Sequence, residues 1–183
     1  MSKVLRTGTL PDCEPEIGRW LWALEEVRRR TVGLVGDLDQ ATVDWRGPDE
    51  EENSIGSLLY HIALIEMDWL FGDILQQDVP APIADDFPLD ARDAAGRLAH
   101  LPSVPVAEHL GRLNRSRETF LRTCRGLSLE SWERLRSPPN EDYLVTPAWV
   151  VFHLVEHEAG HAFQIGALRA RAKRFFPGTD AQT

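Results

Sequence analysis

TPAWVVFHLVEHEAGHAFQIGALRARAKR, residues 146–174, is the stretch whose reading decides the fold. Thr146 followed by Pro147 marks a helix start: a side chain able to accept from free N–H groups, then a proline whose fixed φ suits the first helical position. The pattern continues through residue 174 and predicts one long helix. Inside it HEAGH, residues 157–161, matches HExxH, the two-histidine signature of zinc peptidases. That spacing sets His157 and His161 one turn apart on a common face.

Three more long helices are expected upstream. The first runs from Pro15 to about residue 38, with proline and acidic residues at its start, and a short helical turn follows in residues 39–45. Residues 46–54 break the pattern and offer Asn53 or Ser54 as an N-cap for a second helix over residues 54–77. That helix is apolar nearly all the way round, which predicts burial on more than one side. Residues 78–105 carry five prolines, with only residues 90–100 able to form a short helix between them. A connection of this length is a lid, a binding loop or a crossing from one end of the bundle to the other. A third helix over residues 106–127 and a brief one opened by Ser128 and Glu130 complete the set. No alternating strand pattern and no internal repeat is visible. The expectation is an all-α four-helix bundle with short extra helices, one domain over residues 1–183, whose first 12 or so and last 8 or so residues are flexible.

Composition narrows the partners. Twenty Lys and Arg against twenty-nine Asp and Glu give a net charge of −9, which repels nucleic acid and anionic lipid. No run of eighteen apolar residues suggests a membrane span, and the N-terminus lacks a signal-peptide core, so a cytoplasmic location is expected. Cys13 and Cys124 are too far apart for a CxxC motif.

A peptidase reading needs a third ligand downstream of HExxH. Position 164 is Gln and position 167 is Ala where one pattern needs Gly and His, and no Glu follows residue 161. The tail PGTDAQT only faintly echoes the aspartate-type pattern. A zincin peptidase is therefore excluded. In a bundle, however, ligands come from facing helices. His61 stands in the apolar stretch LLYHIALI, where an unpaired imidazole is costly, and with His157 and His161 it makes a three-nitrogen site with open positions. His153 is expected beside this site without ligating, and Asp68 and Gln164 are expected to line the pocket or orient a ligand. A closed shell completed by His153 or Asp68 would instead indicate a non-catalytic metal staple. Glu158 is rotated about 100° from His157 and is expected in a salt bridge at the rim. The opposite stripe, Phe152, Val155, Ala159, Ala162 and Gly166, is apolar and small, so neighbours or a second subunit should cover it, and a homodimer is expected.

The segments SIGSLLYHIALIEMDWL (residues 54–70) and VFHLVEHEAGHAFQI (residues 151–165) resemble the DinB-like superfamily, which includes the YfiT-type metal-dependent hydrolases and bacterial low-molecular-weight thiol transferases. Carried over residue by residue, the family's metal histidines fall on His61, His157 and His161. Gly160, Ala162 and Phe163 depart from the family's usual second histidine and Arg-Gly around the last ligand. The resemblance implies a divalent metal, zinc or nickel, that activates water or a small cofactor thiol toward a small-molecule substrate. Thiol S-transfer is the favoured expectation and hydrolysis the alternative.

Overall fold

In the computed structural model, residue 2 and residues 4–139 and 141–176 are described. The flexible tail expected at residues 177–183 lies outside them. Short polar side chains start many of the helices. Ser54 accepts from the Ser57 N–H to open α3 (Ile55–Asp68), and Thr146 accepts from the Trp149 N–H to open α7 (Pro147–Phe175). Proline at the first position opens α1 (Pro15–Val35), while α5 spans Val106–Arg125. Asp39 and Ser128 cap the short helices α2 (Gln40–Asp44) and α6 (Leu129–Glu133) in the same manner, and α4 (Ala81–Ala84) lies in the proline-rich connection. The second long helix is not uniform: α3 passes into a π-helical segment over Trp69–Leu75, which ends at Gln76 in a left-handed conformation. Among the described residues there is no strand, only isolated bridges between Arg92 and Leu98 and between Arg136 and Val145.

The order of packing is not the order of the chain. α1 lies against α7 and α3 against α5, with α3 also touching α7 and α1 touching α5. Successive long helices α1 and α3 therefore face each other across a diagonal, as do α5 and α7. α3 and α5 approach closely: a Cβ on Gly56 would stand 3.0 Å from Nε2 of the fully buried His109. The apolar core divides into one cluster around Leu21, Leu24, Phe120, Trp132 and Leu154, another around Ile55, Leu59, Leu113, Ile165 and Leu168, and a smaller one of Tyr60, Ala99 and Leu101.

Near the middle of the bundle sits a closed square of charge. Arg28 Nε donates to Glu158 Oε1 at 2.8 Å and its NH2 to Glu66 Oε2 at 3.0 Å. Arg117 Nε donates to Glu66 Oε1, and its NH2 donates to Glu158 Oε2 at 2.9 Å. Spare guanidinium protons reach the carbonyls of Leu113 and Leu24. All four side chains are buried. Glu158 is thus not at the rim, as its helix position suggested. It faces inward because the residue after His157 points away from the histidine face and into the core, where two arginines meet it. Burial pushes the Glu158 carboxyl up, but Arg28 and Arg117 more than reverse this and hold it below the ordinary glutamate range.

The proline-rich connection also departs from expectation. Residues 90–100 form a tight hairpin-like turn instead of a helix, and the only helix in the connection is α4. The Asp93 carboxylate accepts from the N–H groups of Ala95 and Arg97, and Gly96 takes φ +78°, a turn geometry incompatible with a helix. The apolar stripe behind α7 is only partly covered: Val155 is half-buried, while Phe152 and Ala159 are exposed. At the N-terminus, the Leu10 N–H donates to Gly18 O at 2.9 Å and lays the leading segment along α1. No helix among the described residues is long and apolar enough to cross a membrane.

Removing one corner of the charge square leaves a buried carboxylate uncompensated, whereas an exposed pair contributes little. Arg117→Ala is expected to lower the unfolding free energy by about 3–5 kcal/mol in urea titrations. Arg134→Ala, which removes a surface pair with Glu130, should change it by no more than about 0.5 kcal/mol.

Candidate metal centre

His61 comes from the middle of α3 and is 6% exposed. His157 and His161 project toward it from α7, half-buried. The three Nε2 atoms converge: His157 Nε2 lies 3.2 Å from His61 Nε2 and 3.0 Å from His161 Nε2. The three donor atoms lie within 4.8 Å of one another. Burial first, and then the crowding of other imidazoles that cannot all take a proton together, push His61 down to about 4 and His157 down to about 3. His161 is lowered chiefly by burial, with its Gln164 bond opposing. At neutral pH all three rings are uncharged.

Three neutral imidazoles with Nε2 facing Nε2 leave a hydrogen-bonding problem that a cation solves. Gln164 Oε1 stands 2.8 Å from His161 Nδ1. A carbonyl oxygen can only accept, so Nδ1 carries the proton and the His161 Nε2 lone pair points at the cluster. His157 Nε2, shared between two contacts, has at most one proton to give. Nitrogens about 2.0–2.1 Å from one cation stand about 3 Å apart, close to the separations seen here, so the donor set fits a divalent metal. His61 Nδ1 is buried with no partner among the described residues, and protonation there would leave its Nε2 free to ligate.

The remaining residues singled out in the sequence take distinct places. Gln164 orients His161. His153 supplies no atom to the cluster; its ring stacks on Trp149 at 5.2 Å, meets Trp69 at 4.9 Å, and lies 6.0 Å from the His157 ring. Asp68 also stays out of the cluster, on an exposed position where desolvation still raises its carboxyl above the ordinary range. A closed shell completed by His153 or Asp68 is therefore not formed. Two cavities lie along the same side of α7. Toward its N-terminus, Trp69, Tyr143 and Trp149 line a largely apolar cavity of about 430 Å³. Toward its C-terminus, Arg92, Phe163, Gln164 and Arg171 line another of about 480 Å³.

With this geometry in place, the sequence profile of the DinB superfamily matches residues 23–165. The chain belongs to the DinB superfamily. Among curated proteins it is similar to YkkA of Bacillus subtilis (strain 168), at 25% identity over 166 residues, 89% of this chain and 91% of YkkA. Among solved structures, a conserved protein from Enterococcus faecalis superposes with a TM-score of 0.61 at 16% identity, covering 82% of this chain and 92% of that one. YfiT from Bacillus subtilis, described as a probable metal-dependent hydrolase with an unusual four-helix bundle topology, gives a TM-score of 0.59 at 14% identity, with 93% of each chain covered. The likeness to these two shows a shared helical-bundle fold.

Sequence reasoning missed the charge square and the cationic cavity. Glu66, a charge inside an otherwise apolar helix, and Arg28, in line with Leu21, Leu24, Thr31 and Val35, were the available signals for the first. Nothing in the proline-rich connection marked Arg92.

The lowered histidines set a pH window. Unfolded histidine takes up a proton near pH 6.5, while His61 and His157 stay neutral in the fold until about 4 and 3. The unfolded chain therefore binds more protons between these values, and stability is lost as pH falls from about 6.5 toward 4. In chelator, urea unfolding of the wild type should weaken across this window, and His157→Ala should show a shallower slope. Equal slopes would contradict the assignment.

Proposed function

We propose that this chain is a metal-dependent enzyme in which His61, His157 and His161 hold one divalent cation, zinc or nickel, and that it transfers a low-molecular-weight thiol to a small electrophile. The observation that carries the reading is the convergence of three Nε2 atoms with the carboxylate of HExxH turned away from them. A cation bound by three protein nitrogens keeps positions open to a small molecule, and it lowers the pKa of a thiol or water that takes one.

The chain's own groups define the rest. Gln164 holds His161 in the tautomer that ligates. Glu158, in the position that serves HExxH peptidases as general base, is buried and bound on both oxygens by Arg28 and Arg117, away from the histidine cluster. Thiol transfer forms a carbon–sulfur bond and breaks the bond to the leaving group, and the thiol proton passes to solvent; a thiol starts far more acidic than water, so a cation alone suffices to ionise it, and this favours thiol transfer here. Hydrolysis is the second reading, supported by the likeness to YfiT. The non-catalytic staple is disfavoured because, among the described residues, the cluster holds three donors and no fourth.

The test has two arms. Elemental analysis of purified protein is expected to find about one divalent metal per chain, with His61→Ala and His157→Ala largely empty; full occupancy in both variants would overturn the ligand set. The metal-loaded protein, assayed with a panel of small thiols and a chloro-dinitroarene, should conjugate above the uncatalysed rate. Background rates with every thiol, alongside metal-dependent turnover of esters or amides, would select the hydrolase.

The proposal includes a homodimer packed over the exposed Phe152 and Ala159 face of α7. Sedimentation equilibrium should then return twice the chain mass, and a monomer at every concentration would refute it.

A further inference from the structure

We infer that the cavity beside His161 is an anion subsite in which Arg92 binds a carboxylate or similar negative group of the molecule that occupies the metal's open position. This deepens the function proposed above and rests on its three-histidine site. The cavity adjoins that site at Gln164, which lines it and stands 2.8 Å from His161 Nδ1.

Its cations are not equivalent. Arg171 forms a two-pronged pair with Glu52, and Arg97 is paired with Asp93. Arg92 has no carboxylate partner among the described residues; its NH1 donates to the Gly96 carbonyl at 2.8 Å, which leaves most of its donor fork unused. Arg92 lines the same cavity as Gln164, the residue that bonds His161 Nδ1. Glu51 is the one acidic group lining the cavity without an ion pair among the described residues.

The turn that presents Arg92 is pre-shaped for this work. Asp93 caps the N–H groups of Ala95 and Arg97, Gly96 supplies the positive φ, and Arg92 bridges to the buried Leu98. On its other side the connection is clasped by Tyr60, whose hydroxyl donates to Leu89 O at 2.6 Å and accepts from Leu89 N–H at 3.0 Å. Tyr60 immediately precedes His61. This cross-link, with those from Arg112 and Arg115 to Asp86, ties the proline-rich connection to the bundle, so the turn that carries Arg92 is ordered before any ligand arrives. A guanidinium fork suits carboxylate or phosphate oxygens better than any neutral group.

The experiment uses the full chain loaded with cobalt(II), whose absorption spectrum changes when a thiol binds, so it reads binding and not turnover. The probes are 3-mercaptopropionate and 4-mercaptobutyrate, neutral 2-mercaptoethanol and cationic cysteamine. The wild type is expected to bind at least one of the carboxylate thiols about tenfold more tightly than 2-mercaptoethanol, and cysteamine most weakly. Arg92→Gln should bring that preference to within about twofold, Arg92→Lys should keep part of it, and Arg97→Ala should leave it unchanged. A preference that survives Arg92→Gln, or one that is lost in Arg97→Ala instead, would overturn the assignment, as would no preference in the wild type. Failure of the underlying reading looks different: cobalt would then give no histidine-dependent spectrum, whichever thiol is added.

Discussion

The square formed by Arg28, Glu66, Arg117 and Glu158 is the constraint on which the bundle depends. Each arginine touches both carboxylates, and each carboxylate touches both arginines. Two of the four links join neighbouring helices, α1 to α7 and α5 to α3. The other two run across the diagonals, α1 to α3 and α5 to α7, between helices that pack mainly against others. Apolar packing can hold neighbours together with some freedom to slide or rotate. Four charge-assisted bonds at the centre remove much of that freedom, since any helix that turned would strand a buried charge.

That constraint reaches the histidines through one peptide bond. Glu158 must point into the square, so His157 is turned about 100° away, and His161, one turn later, follows it to the same face. Glu66 fixes the rotation of α3 and, with it, the direction of His61. The HExxH letters are therefore used in a different sense from a peptidase: the histidines are free to ligate because the glutamate between them is occupied elsewhere. A charge cluster at the core serves as the jig for a polar cluster nearer the surface.

Much of this was legible in the residues. Proline and Thr, Ser or Asp caps gave the starts of the helices, because those signals depend on local chemistry alone. The three converging histidines could be named because a buried imidazole in LLYHIALI needs a partner, HEAGH sets two more on one helical face, and both segments resemble the DinB-like superfamily. What failed was non-local or turn-specific. Residues 90–100 have helix-like composition, yet the Asp93 side chain competes for the backbone and wins once Gly96 turns the chain. Glu158 was placed at the rim because helical geometry gives the angle between two residues but not what lies on the far side. The arrangement of helices across diagonals leaves no mark on the periodicity of any single one.

That arrangement also governs how the chain finds its shape. In an ordinary up-and-down bundle, each new helix can settle on the one before it. Here the partner of the first long helix is the last, α1 against α7, separated by more than a hundred residues of chain. The charge square likewise waits for Glu158, the final corner to be synthesised. Local helices can form early, but the enclosing contacts between α1 and α7 close only when almost the whole sequence is present, so an important share of the native contacts is non-local. Such topologies fold more slowly than their helix content suggests. A nascent chain halted before α7 would expose the faces of α1 and α3 that the last helix covers, a state chaperones would have to shelter until release.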